Sequence, residues 1–517
     1  MIVILCAVFA TLLLLKLASI YIDYLRHRAF ATSIGNIEDD EKATGILDNL
    51  RLAYKSEDTE GPVKFRGEMR DRHGGKQYIW KLMPNVFYWV IHDSKTAQFV
   101  MNLDADQVEK AGMSKDIFRG DYNGFNNGLL LTEGSTWKAH RKIVGKYLSN
   151  HSIEAYIEQI DQSAVTFIEL LCASDKPRDT EAVRSLCNNA LYEVIFKCLM
   201  GDVNCNSQID NTNGDFVRAF ETISKTVLYR VDNRFKTMLF GRIPILNTLA
   251  SLIVPELKKE REAMKIRDGY MEQIIKSAVE RRNDGSRDLA SVFVNTKDEN
   301  GVNVFSDNEI KCQLFTFAFG GHETAASALI WILFYLGAHP DWSDKVKNEF
   351  ESLGGAINRH TLNKLPMTTA FIKETLRLCH TLDLYIPRRA TRDIELPNGA
   401  ILPRGFTFTV DIANMATDPS VWGADAHKFN PARFLSSSDQ IHQYQYLPFG
   451  GGRRNCVGKS FAMQQLKIFT LRAASNIKIK NDVVETSVSY PQQPPNQWTG
   501  MTWKIKSDAL KQTFTKR

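Results

Sequence analysis

Residues 306–340, SDNEIKCQLFTFAFGGHETAASALIWILFYLGAHP, restrict the possible folds more than any other stretch of this chain. Ser306 and Glu309 have the spacing of a capping box, so a helix starts there. Gly337 and Pro340 supply the stop signal. Roughly 30 residues at about 1.5 Å each make a rod of about 45 Å. Its apolar residues run nearly all the way round, so it has to be buried rather than laid on a surface. A rod of that length can be buried only inside a large body. The chain can build one: it has 517 residues, 44% hydrophobic and 24% charged, far from the composition of disordered segments. Gly320 and Gly321 conflict with the rod, because each costs about 1 kcal/mol relative to alanine at mid-helix. Something there requires a close backbone approach or a distorted helix.

The rest of the chain supports a helical body with a small β part. KQYIWKLMPNVFYWVI, residues 76–91, is rich in aromatic and β-branched residues around Pro84-Asn85 and reads as a hairpin. From about 130 to 385 the pattern is mostly helical. RDIELPNGAILPRGFTFTVD, residues 392–411, alternates and turns at Pro397-Asn398-Gly399, a second hairpin. A helical run follows from 456 to 474. The expectation is a mainly α fold with a minor antiparallel β part, in one body. The net charge of +6 is mild, and no long basic run or aromatic-interleaved basic patch points to nucleic acid. The eight cysteines are scattered and contain no CxxC, which removes zinc-site spacing and a disulfide framework and fits a reducing compartment.

The N-terminus differs from the body. MIVILCAVFATLLLL carries no charge, and LASIYI resumes the apolar pattern after Lys16. A helix from Met1 to Ile22 measures about 33 Å, enough for a hydrocarbon core of about 30 Å. Lys16 can snorkel to the interface, and Arg26, His27 and Arg28 belong on the cytosolic side. The start lacks the basic region and small-residue cleavage site of a signal peptide. The expected organisation is an anchor over 1–22, a connector over 23–60 and a cytosolic body over 61–517.

PFGGGRRNCVGKSF, residues 448–461, nearly spells a phosphate loop. The spacing G-x-x-x-x-G-K-[ST] demands glycine at 453, which is Arg453, and Gly452 lies one position too far. A dinucleotide fingerprint fails as well, at Asn455. Around the cysteine the match is complete: Phe449, Gly452, Arg454, Cys456 and Gly458 fill F-x-x-G-x-R-x-C-x-G. This resembles the haem-thiolate motif of the cytochrome P450 family. GGHET at 320–324 is similar to that family's A/G-G-x-D/E-T, KETLR with Glu374 and Arg377 to its E-x-x-R, FNPARF with Pro431, Arg433 and Phe434 to its P-x-R-F, and WKAHR with Trp137 and Arg141 to its W-x-x-x-R. In the family's order, these motifs extend the resemblance over about residues 60–510.

The resemblance implies the cytochrome P450 fold: one haem-thiolate domain holding haem b through a Cys456 thiolate. The chemistry suits the residues. An anionic sulfur pushes electron density toward a bound O–O bond. It needs N–H donors, which glycine-flanked backbone and a helix N-terminus beginning at Cys456 would offer. Phe449 would shield the sulfur. Arg454, Trp137, Arg141 and Arg388 would meet the haem propionates, with Arg389 as the alternative to Arg388. Gly320 and Gly321 would let the long helix pass over the haem with a π-bulge-like distortion. Thr324 and Glu323 would serve O2 and its protons, and His322 would pack rather than bind iron. Glu374, Arg377 and Arg433 would form a buried structural network.

The implied activity is a monooxygenase that inserts one atom of O2 into an organic, lipophilic substrate. Its electrons would come from NADPH through NADPH–cytochrome P450 reductase, with cytochrome b5 as a further partner, at the endoplasmic reticulum membrane. Lys142, Lys146, Arg453 and Lys459 offer a basic docking face or a solvated surface. Three alternatives remain: oxidation of an aromatic or amino-acid-derived metabolite, an O2-independent isomerase or dehydratase, and a non-enzymatic haem binder. Glu323-Thr324 argues against the O2-independent reading. The fatty-acid ω-hydroxylase branch often has Glu where this chain has Gly320, which argues against that branch. Ala432 replaces the commoner Glu of P-E-R-F. The apolar stretch 238–255 either packs internally or dips into the bilayer.

Overall fold

The computed structural model describes residues 2–33, 62–72, 77–83, 86–111, 127–201, 214–232, 252–281, 285–286, 288–435, 442–482, 496–498, 503–505 and 510–517. Most of the connector, most of the apolar stretch 238–255 and most of the stretches near 112–126, 202–213 and 483–495 lie outside them.

The long helix spans Asp307–Ala338. The Ser306 hydroxyl accepts from Glu309 N–H, and the Glu309 carboxylate accepts from Ser306 N–H at 2.9 Å, a reciprocal cap at its start. From Ile310 to Leu336 most of its residues are buried. Among the described residues it is long and apolar enough to cross a membrane, yet it is the core of the body. Helices Thr180–Leu199, Lys459–Asn476 and Pro366–Leu378 surround it. Expected distortion at Gly320-Gly321 does not occur: the backbone stays α-helical through residues 320–324.

Across the largest sheet the strands run Gln77–Met83, Val86–Ile91, Thr407–Val410, Arg388–Ala390 and Val108–Lys110. The first two form the expected hairpin, with Gln77 opposite Ile91. The second expected hairpin is shorter than its sequence suggests. Ile394–Glu395 pairs with Ile401–Leu402. Pro403 has no N–H for a ladder, and the chain leaves the pair there. Thr407–Val410 then runs parallel to Val86–Ile91, so the β part is mixed rather than purely antiparallel.

The N-terminal helix spans Ile2–Ser33 and does not end at Ile22. Its last turns dock on the sheet. Phe30 meets Trp89 and Phe406 with ring centroids 5.7 and 4.8 Å apart. His27 Nε2 lies 3.0 Å from the Arg404 carbonyl, and Arg26 pairs with Asp393. Residues 23–33 of the expected connector are therefore helix. Burial of Phe30 and Ala31 is what holds them to the body.

Candidate active site

Cys456 lies on the loop before helix Lys459–Asn476, not on its first turn as the sequence suggested; Gly458 is the N-cap. The loop is shaped by close backbone approach. Gly452 has φ +62°, and a Cβ there would stand 2.1 Å from the Met101 carbonyl oxygen, so only glycine fits. Gly458 is different: a Cβ would lie 3.9 Å from the Cys456 sulfur, an ordinary contact. The backbone N–H of Cys456 donates to the Phe449 carbonyl at 2.8 Å. Phe449 itself packs against the main core. Burial pushes the Cys456 thiol up, while the Gly458 N–H, Arg141 and Lys459 pull it down. The sulfur is deep in the molecule, yet the Cys456 side chain is exposed. It therefore faces an open cleft rather than packed protein.

A second interior segment is open. Along the central turns of the long helix, Thr316, Gly320, Gly321, Glu323 and Thr324 interrupt an otherwise buried surface. Thr316, Gly320 and Thr324 are spaced at four residues, one stripe on one face. A Cβ on Gly320 would meet nothing within 4 Å. On Gly321 it would stand 2.6 Å from Ile195 Cδ1, so that glycine lets helix Thr180–Leu199 approach. The groove is made by missing side chains, not by a helix defect. The Thr324 hydroxyl donates to the Gly320 carbonyl at 2.7 Å, and Thr316 does the same to Cys312. Thr316 carries no motif, and only the stripe reveals it. Glu323 is near Arg184, whose guanidinium is lowered by burial and raised again by this carboxylate. His322 is buried and stacks on Tyr192 with centroids 3.9 Å apart.

Two motif arginines, Arg454 and Arg388, meet at one carboxylate, Glu133. Arg454 pairs with its Oε2, donates to the Thr132 carbonyl at 3.0 Å and lies 3.7 Å above the Trp137 ring. Arg388 Nη1 is 3.9 Å from Glu133 Oε1, and its guanidinium rests over Tyr385. Arg389 points the other way, is exposed and pairs with Glu109. Arg141 donates to Asn455 at 2.6 Å, and its charge acts on Cys456. Sequence reasoning missed Glu133 and Lys110. The Lys110 backbone N–H donates to Glu133 at 2.8 Å and its ammonium is 3.5 Å away. Burial, then Arg388, push that ammonium down to about 6, against the pull of Glu133. No motif marks Lys110, and only the fold turns it inward. A surface groove of about 860 Å³ beside Phe99, Leu103 and Ile394 holds none of these groups.

One sulfur open to a cleft, a helix stripe cleared of side chains, and a cation cluster short of anions fit an iron porphyrin with two propionates. The family model for cytochrome P450 matches residues 52–493. This chain belongs to the cytochrome P450 family. Relatives include rabbit (Oryctolagus cuniculus) cytochrome P450 4A7, 30% identical over 66% of this chain and 67% of its own length. Human (Homo sapiens) cytochromes P450 4A11 and 4X1 are 30% and 29% identical, the first over 66% of each chain, the second over 66% of this chain and 67% of its own. In fold, the chain resembles the retinoic-acid-bound cyanobacterial CYP120A1, with a TM-score of 0.68 and 21% identity over 87% of this chain and 94% of that one.

As a cytochrome P450 the protein is a haem-thiolate monooxygenase, an oxidoreductase using O2 and NAD(P)H-derived electrons delivered by a redox partner to act on a small molecule. Behind the cleft of this P450, Glu374 and Arg377 are both fully buried and form two bonds, of 2.7 and 2.8 Å. Arg433 Nε reaches the same carboxylate at 3.0 Å, and Asn430 N–H at 2.8 Å. Arg377 also donates to the carbonyls of Ala416, Ala426 and Lys428. This network joins helix Pro366–Leu378 to the segment leading to the cysteine loop.

Proposed function

We propose that this P450 hydroxylates a lipophilic substrate, with electrons from NADPH–cytochrome P450 reductase and cytochrome b5 as a further donor. In this reading Met1–Ile22 anchors the protein in the endoplasmic reticulum membrane and the body is cytosolic. Cys456 would hold the haem iron through its thiolate, with the Gly458 N–H and Arg141 steadying the sulfur's charge. Haem b, once bound, supplies the activation of O2. The chain's own residues do the rest. Thr324 turns its hydroxyl between the Gly320 carbonyl and a bound molecule or water in the cleft, and Glu323 moves protons inward from the Arg184 side. Trp137, Arg141, Arg388 and Arg454 would hold the porphyrin by its propionates. Glu374, Arg377 and Arg433 hold the cysteine loop in register.

The observations that carry this reading are an exposed Cys456 just before helix Lys459–Asn476 and an open stripe on the long helix against which that helix packs. Exposed Leu252 and Ile253, at the end of the apolar stretch 238–255, support a substrate drawn from lipid. Reduced, CO-treated protein should show a red-shifted Soret band in wild type and lose it in Cys456→Ser; a wild type lacking that band overturns the haem-thiolate reading. Lipids and aromatic metabolites should then be compared for displacement of haem-bound water and for product with and without reductase. Turnover of aromatic metabolites alone overturns the lipid assignment, and turnover without reductase or O2 overturns the monooxygenase assignment for this substrate.

A further inference from the structure

Arg267 lies on helix Pro255–Glu280, which packs on the long helix. It is only 4% exposed, yet its Nε and Nη1 have no hydrogen-bond partner among the described residues. Nη2 pairs with Asp268, the next residue, whose side chain is 40% exposed. Solvent screens that carboxylate, so it offsets little of a charge that has left water. One turn away on the same helix, Ala263, Met264 and Met271 are buried and apolar. The guanidinium rests over the Phe315 ring at 4.9 Å. Such a contact returns about 2 kcal/mol when desolvated, less than the several kcal/mol that an underpaired buried charge costs. Contrast Arg377, whose remaining donors end on backbone carbonyls.

Position gives the deficit a meaning. Burial pushes the Cys312 thiol up, while the Asn127 backbone and the Arg267 charge pull it down. Cys312 precedes Thr316 by one helical turn, so Arg267 acts where the open stripe Thr316, Gly320, Thr324 begins. Thr324 lies about 13 Å further along the helix than Phe315, at about 1.5 Å per residue. We propose that Arg267 recognises an acidic group on the substrate, so that the lipophilic molecule this P450 oxidises is an organic anion held at its end remote from Thr324. This rests on the lipophilic-substrate reading and narrows it. The anion supplies the acceptor the protein withholds, in a charge-assisted bond. Its apolar part follows the stripe. No covalent bond is made or broken in this recognition.

The test compares wild type, Arg267→Leu and Arg267→Lys. Affinity is measured by titration calorimetry, which needs no haem signal. Three forms of one skeleton are the probes: the acid, its methyl ester and the alcohol, on a dodecyl chain and again on a cholane skeleton. In wild type the acid should bind at least about tenfold more tightly than the ester or alcohol, the equivalent of about 1.4 kcal/mol. Arg267→Leu should bring the acid down to the ester and leave the two neutral forms within about twofold of wild type. Arg267→Lys should keep a preference for the acid. Without a probe, Arg267→Leu should resist denaturant as well as wild type or better, because an underpaired buried charge is gone. Should the leucine variant not fold, the acid-to-ester ratio of wild type decides alone. Equal wild-type affinities for acid and ester overturn the proposal and leave the lipophilic reading standing. A variant that loses all three forms to the same degree overturns it too, because that marks a structural role. A wild type that binds no member of either set overturns the lipophilic reading and this one with it. The reduced CO band of the same samples reports separately on the haem-thiolate reading.

Discussion

Around Glu374, every N–H of Arg377 has an acceptor: the carboxylate takes two, and three backbone carbonyls take the others. Arg433 is served by the same carboxylate, by Asp425 and by two carbonyls. Around Glu133, three cations lean on one carboxylate and a neighbouring buried hydroxyl is unpartnered. Glu374 and Arg377 are fully buried, Lys110 and Arg388 are buried while Glu133 and Arg454 are partly so, and both clusters contain residues the sequence motifs name. The difference is completeness. A buried charge costs several kcal/mol unless it is paired and hydrogen-bonded. Where the protein itself completes the bonding, the cluster is structural. Where it stops short, an added anion could complete it.

The sharpest way to break this contrast is to remove one member of the complete cluster. Glu374→Gln should cost about 3–5 kcal/mol, because two guanidiniums lose their charge partner inside the body. Denaturant unfolding should show the loss in haem-free and haem-bound protein alike; a loss confined to the haem-bound form would mean that this cluster also answers to the ligand. Arg454→Leu should behave oppositely. Haem release should rise at least about tenfold, reflecting one charge-assisted bond, while haem-free stability changes little. Equal destabilisation of both forms would make Arg454 structural.

A smaller effect appears with pH. Without haem, Lys110 has its ammonium pushed down to about 6, so it is largely neutral above that pH. The groups facing it are Glu133, Arg388 and Arg454. An anionic ligand beside it would restore the proton, so binding of that ligand would take up a proton above about pH 6. Affinity contributed by Lys110 is therefore fully present below about pH 6 and falls as pH rises, by at most about tenfold per unit. Haem titrations of wild type and Lys110→Met between pH 6 and 8 should differ in slope by that amount. Parallel slopes would remove Lys110 from the balance.

Much of this site was legible from residue types because local chemistry dictates them. The cysteine needs N–H donors and a glycine at 452, where any side chain collides with Met101. The long helix announces itself through its cap and its apolar girth. The hairpin at 77–91 follows from β-branched and aromatic content around a turn. These are short-range rules, and a linear reading carries them. The reading erred where distant segments decide. A helix defect was expected at Gly320-Gly321, but the neighbouring Ile195 explains one glycine and an open cleft the other. The second hairpin lost its outer strand to a parallel partner more than 300 residues earlier in the chain.

What the sequence determined by itself is the family and the helical frame, because motif spacing and helix periodicity are properties of neighbours along the chain. What only the tertiary structure decided is which charges face inward. Arg388 and Arg389 are adjacent and chemically equal, yet strand alternation buries one and exposes the other. Lys110 is an unremarked lysine until register sets it opposite Arg388. Burial then turns an ordinary surface residue into part of a charge deficit, because the field of a buried charge is governed by what surrounds it in space, not by what precedes it in the chain.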